Sequence, residues 1–425
     1  MGSVPPMRYA ADFPFRRGIP LEALELGSQY QALRAALERD GYRPGVDLFD
    51  APWDWRMALV PDDGSRDGRI LDLAAPLAAG DLTYGIGYLG KALATVAAAR
   101  PDATEVDVVA HGLGGILVRS YLQSDAYGTK VAHPGGASAA LPKVRRFVQV
   151  AVPNRGQAEA WNPWHDDFSQ LSELRREIAP KLLPVAFQAA RVGNTLQATD
   201  GLISRRTIDR DGKPDPTTFY RLYDKGNRAL LPTYRFFNGP KGGLRTVKKG
   251  AASNALLLDL DASSPDAIDW IGRIERASVT HGSGLATQVA VRRRAGPDPG
   301  DPDATPLRIL PRLNGPPTAP KPGQVWFEPV FEPTGGDGVV PFASLVPNAP
   351  DTPVDPRIAY RVWRPAKGED AGSGATPSDG PVDSIGLLAN PDALAWIAEQ
   401  LRSESPPTTA AQVDAAGPSA QSGLP

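Results

Sequence analysis

The chain predicts an α/β fold, an open and mostly parallel sheet with helices on both faces, and three observations lead there. Segments of helical periodicity alternate with short, largely apolar runs across residues 20–151. The runs Val106–Ala110, Val144–Val152, Val325–Phe331 and Ile358–Trp363 read as strands buried on both faces, the pattern of parallel strands covered by crossover helices. One of them leads straight into a glycine-rich turn and another helical stretch, "VDVVAHGLGGILVRSYL" at 106–122.

In chain order, "SQYQALRAALERDGY" (28–42) is amphipathic, with Gly41 as its stop. "YGIGYLGKALATVAAARP" (84–101) sets Ile86, Leu89, Leu93 and Val96 on one helical stripe before Pro101 ends it. The last helix carries Asn390 as N-cap and Pro391 at its first position, with Leu394, Ile397, Ala398 and Leu401 as its apolar face. Residues 295–323 and 366–381 are rich in proline and glycine and read as loops. From Ser403 onward the apolar content is too low for a core, which predicts a disordered tail.

Composition narrows the function. A chain of 425 residues that is 41% hydrophobic can bury a sizeable core, and a net charge of -2 gives no reason to expect nucleic acid. The basic runs Arg292-Arg293-Arg294 and Lys248-Lys249 read as solvated loops. With no cysteine there is no disulfide or thiolate chemistry, which fits a reducing cytoplasm. No apolar window of about 18 residues predicts a transmembrane segment, and "MGSVPPMRYAADF" does not read as a signal peptide.

The stretch at 106–122 has the form of a nucleophile elbow, a strand, tight turn and helix that present a side chain at the tip. Such elbows follow G-x-S-x-G, because strand and helix backbones approach closely on either side of the nucleophile. Here the window is Ala110-His111-Gly112-Leu113-Gly114, followed by Gly115. The small residues are in place and the hydroxyl is not. A phosphate-binding loop would need glycine spacing or a Lys-Ser/Thr ending that this window lacks. Neither a cofactor nor a metal is expected: the one His beside two Asp in "NPWHDDF" (162–168) is poor metal spacing.

Five segments, "GYRPGVDLFDAPWDWR" (41–56), 88–122, "VAVPNRGQA" (150–158), "ALLPTY" (229–234) and "GGDGVVPFASL" (335–345), resemble the lecithin:cholesterol acyltransferase family of α/β-hydrolases, in family order. The resemblance implies an α/β-hydrolase core interrupted by a large inserted cap. Residues 1–156 would open the core, 157–320 would form the cap, 321–402 would complete the core and 403–425 would be the tail. It also implies a Ser, Asp, His triad acting on acyl esters of lipids. Carried over by position, the nucleophile falls on Gly112, the acid on Asp337, the histidine on Ser384 of "VDSIGLLANP" with Asp383 beside it, and one oxyanion amide on Leu113. The family's other oxyanion amide lies in a turn that often continues Met/Leu-Gly-Ser/Asn. This chain begins "MGSVPP", either inside that motif or at an ordinary start.

Two of the three catalytic groups are therefore missing. The four histidines are His111, His133, His165 and His281, and none follows Asp337. Without a hydroxyl nothing is acylated, and without an imidazole nothing moves the proton. The expectation is a pseudoenzyme that binds a protein partner or a lipid or acyl ligand. Two rivals are kept: an acyl-ester hydrolase or O-acyltransferase with relocated groups, for which His165 and His281 are the candidates, and a structural subunit of an active partner. His111 is expected to pack beneath the elbow, Asp337 to accept backbone N–H bonds in its own turn, and "APWDWR" to be a packed strand end. Trp161, Trp164, Phe168, Leu230, Tyr234, Phe236, Phe237 and Trp270 either form the core of the cap or line an exposed binding patch.

Overall fold

The computed structural model describes residues 26–53, 58–61, 84–125, 127–128, 130–132, 138–165, 225–238, 243–247, 253–261, 268–295, 308–309, 324–345, 355–363, 383–384 and 386–403. The opening "MGSVPP", most of the loop expected at 295–323, all of that at 366–381 and the tail beyond Ser403 lie outside the described residues. Helix α1 (Leu26–Arg39) ends as Gly41 requires. Gly41 sits at φ +100, its N–H bonds to the Glu38 carbonyl, and Tyr42 N–H returns to that of Leu37. This is the paired closure that a left-handed glycine permits. Helix α2 (Gly85–Ala99) buries Ile86, Leu89, Leu93 and Val96, the stripe read from periodicity. Strand β1 (Glu105–His111) feeds helix α3 (Leu113–Leu122) through Gly112.

A small hairpin, β2 (Lys130–Ala132) with β3 (Ser138–Ala140), precedes β4 (Lys143–Val150). Then come a single-turn helix α4 (Trp161–Trp164), short strands β5 (Phe237–Asn238) and β6 (Leu244–Arg245), and helix α5 (Ala255–Leu260). The strands that follow are β7 (Arg276–Gly282), β8 (Leu285–Ala295), β9 (Arg308–Ile309), β10 (Gln324–Gly336) and β11 (Ile358–Trp363). Helix α6 (Pro391–Arg402) closes the fold, and the Asn390 side chain accepts from the Asp392 and Ala393 amides as an N-cap should.

Strands β1, β4, β7 and β11 form one sheet in that order, every pair parallel. Alternation along β1, and along β4 with its register shifted by one residue at Arg145, assigns the faces of the sheet. Val106, Val108, Ala110, Val144 and Phe147 pack in one core with α2 and α3. Val109, Val148 and Val150 pack in another with Leu37 of α1 and Ile397 and Leu401 of α6. The expected parallel sheet with helices on both faces is thus present. Among the described residues no helix is long and apolar enough to cross a membrane.

Three expectations need correction. Val325–Phe331 is not a strand of this sheet: β10 pairs antiparallel with β8 in a second sheet of order β6-β5-β8-β10-β9. Pro329 has no N–H to give a ladder, which disfavours a central strand, and Phe331 is 48% exposed, at odds with burial on both faces. The basic run Arg292-Arg293-Arg294, expected in a loop, lies in β8 opposite Glu328, Phe327 and Trp326 of β10. The expected cap, 157–320, is not separate from the core either, because β7 falls inside it and lies between β4 and β11. Its polar residues concealed it. Ser278 Oγ bonds Gln400 of α6, and Thr280 Oγ1 receives the Trp363 indole N–H at 2.6 Å, so they are buried with partners.

Candidate functional site

Ligand sites in open parallel sheets gather at the carboxyl ends of the strands. Here those ends are occupied by Gly112 after β1, Ala151 after β4 and His281 in β7. Gly112 has φ 55 and ψ -131, a region open to glycine and costly for any side chain. Ala151, at φ 47, is the one non-glycine with positive φ among the described residues. The tight packing expected around the tip is present at Gly115 and absent at Gly114. A Cβ on Gly114 would lie 4.0 Å from that of Ala110, and one on Gly115 would run into Val152 at 2.1 Å. At Gly112 itself a Cβ would meet nothing within 4 Å among the described residues. The expected strand, glycine turn and helix are present, and the tip of the turn carries no side chain.

The loop expected to carry the histidine lies against this tip. His111 donates from Nε2 to the Ser384 carbonyl at 2.9 Å, which leaves Nδ1 to accept the Tyr30 hydroxyl of α1 at 3.0 Å. A carbonyl can only accept, so this tautomer follows from the geometry. Burial pushes His111 below the ordinary imidazole range, against the opposing influence of the Ser384 carbonyl and the charge of Asp383. With both ring nitrogens engaged, His111 packs beside the elbow as expected and is not poised to take a proton.

Asp337 lies in the turn between β10 and the short helical segment Phe342–Ser344, fully buried. Its Oδ1 accepts the Val339 and Val340 amides at 3.0 and 2.7 Å, the bonding expected of it. The turn needs its glycines: a Cβ on Gly336 would stand 2.1 Å from the Val340 carbonyl oxygen, and Gly338 has φ +90. Burial raises Asp337 above the usual carboxylate range, and the charge of Asp383 adds to that.

What the sequence did not disclose is the partner of Asp337. His281 Nε2 stands 3.5 Å from Asp337 Oδ2 while donating to the Val340 carbonyl at 3.0 Å. Both side chains are fully buried, and burial drives His281 below the ordinary imidazole range. Neither His281 Nδ1 nor Asp337 Oδ2 has a hydrogen-bond partner among the described residues. Among the described residues no serine or threonine hydroxyl is bonded to His281. The one available signal was its position at the end of an apolar–polar alternation, "RASVTHG".

The other candidates are structural. His165 donates from Nδ1 to the Trp161 carbonyl at 2.9 Å and packs on Trp161 and Phe327 with ring centroids 4.3 and 4.7 Å away. Trp161, Trp164, Tyr234, Phe236 and Phe237 form one buried cluster with Phe327. Trp270 belongs to the main core, with Leu230 packed partly buried against both clusters. Among the described residues these aromatics are core and make no exposed patch; Phe168 and His133 lie outside them. Leu113 opens α3 directly after the tip, the position expected of an oxyanion amide. Compared with known proteins, the chain matches no family model, and no curated protein matches it.

Proposed function

We propose that this chain is a non-catalytic relative of the lecithin:cholesterol acyltransferase-like α/β-hydrolases, acting in the cytoplasm by holding an uncharged acyl ester at its elbow without cleaving it. The observation that carries this is Gly112: a nucleophile elbow in backbone form, with open space at its tip and no hydroxyl. The all-parallel order of the sheet and the Ser384 carbonyl bonded beside the tip agree with the positions assigned by resemblance. The rival, a hydrolase with relocated groups, draws on the His281–Asp337 pair. It lacks a route, since His281 is fully buried and its one donor nitrogen is committed to a backbone carbonyl.

An ester serves as the better ligand than a free acid here, because Asp337 is part of the site and Asp383 influences both it and His111. A free acid's carboxylate brought near the charge of Asp383 would be repelled, whereas a neutral carbonyl would not. Calorimetric titration with 1-decanoylglycerol below its micelle threshold tests the proposal. Saturable binding of about one ester per chain is expected, with the ester recovered intact and decanoate binding more weakly. Steady release of decanoate would overturn it.

A further inference from the structure

We infer that Trp53 is the side chain that contacts the ligand's carbonyl group, donating its indole N–H to that oxygen; this rests on the binding function proposed above. The indole occupies the crevice between the first turns of α2 and α3. A Cβ on Gly85 would stand 3.0 Å from its ring, and one on Gly114 would stand 4.0 Å from its Nε1. The bare position at Gly85 thus makes room for the indole, and its nitrogen lies at ordinary contact distance from the second residue of the elbow helix.

Trp53 is neither a surface residue nor a sealed one, being half-buried against the main core. Its N–H makes no hydrogen bond among the described residues. Trp363, by contrast, gives its N–H to Thr280, and the unpartnered nitrogen of Trp161 is enclosed in the aromatic cluster. An indole can only donate, and one partly removed from water normally finds an acceptor. Gly114 follows Gly112 by two residues, and at Gly112 a Cβ would meet nothing within 4 Å among the described residues. An acyl ester matches both features, with an apolar chain to lie on the ring and a carbonyl to take the proton.

The test compares 1-decanoylglycerol with its ether analogue 1-O-decylglycerol, which lacks the carbonyl, on the wild-type chain and on Trp53→Phe. Phenylalanine keeps an aromatic ring beside Gly85 and removes the donor together with part of the ring surface, and the ether separates the two losses. The ester is expected to bind Trp53→Phe about tenfold more weakly, the loss of one hydrogen bond, and the ether to bind both chains alike. Equal ester affinity for both chains, or equal losses for ester and ether, would overturn the inference while leaving the binding function standing. Absence of ester binding to the wild type would overturn both. Should Trp53→Phe fold poorly, indole N–H resonances of the 15N-tryptophan-labelled wild type decide. One indole signal, identified as Trp53, is expected to shift with the ester and not with the ether, and no shift with either overturns the inference.

Discussion

Gly112→Ser combined with Ser384→His is expected to hydrolyse p-nitrophenyl butyrate at least about 100-fold faster than Gly112→Ser alone, the lower range for one well-placed general base. The single variant is expected to stay at the buffer rate. Space does not oppose the new side chain, because a Cβ at 112 meets nothing within 4 Å. The obstacle is chemical. His111 has both nitrogens engaged with Tyr30 and Ser384, and His281 gives its proton to Val340. Serine at 112 thus gains no base from either histidine, and its backbone at φ 55 and ψ -131 adds strain of about 1–3 kcal/mol, visible as a lowered melting temperature. Steady-state ester hydrolysis of the two variants decides the matter. A double variant as inert as the single one would place the histidine position elsewhere, and an active single variant would reveal another base.

Asp261→Ala is expected to be the most destabilising of simple substitutions near the elbow helix, at about 3–5 kcal/mol in urea unfolding. Arg119 of α3 is fully buried, and its guanidinium bonds Asp261 Oδ1 at 2.8 Å and both the carbonyl and side-chain oxygens of Asn154. Removing the carboxylate leaves a buried charge without its counterion. Arg119→Met with Asp261→Ala is expected to recover some of the loss, since the charge leaves with its partner while the Asn154 carbonyl still forfeits a donor. A cost below about 1 kcal/mol for Asp261→Ala would mean that water reaches the guanidinium.

The features of this fold that were legible in sequence are those whose signals are local. The stripe of α2, the cap at Asn390 and the stop at Gly41 each depend on residues within one or two turns. The strand–turn–helix was legible too, and the structure supplies a steric reason at Gly115, where a Cβ would meet Val152 at 2.1 Å, but not at Gly114, where one would sit at ordinary contact distance of 4.0 Å. The features that were not legible depend on distant partners. Strand β7 mixes Ser278, Thr280 and His281 with Ala277 and Val279, and looks too polar for a central strand until Gln400, Trp363 and Val340 supply the partners. The pairing of β10 was misread because an apolar run tells nothing about which sheet it joins. The contacts of His281 with Asp337 and of Trp53 with Gly85 and Gly114 join segments far apart in the chain. No periodicity reports such contacts.

An elbow that binds an ester without forming a covalent intermediate offers a serine-directed fluorophosphonate nothing to label, which intact-mass spectrometry after exposure to the reagent reads out. The wild-type chain is expected to keep its unmodified mass under conditions that label an active serine hydrolase to completion. One adduct per chain, localised to a single serine, would contradict the claim.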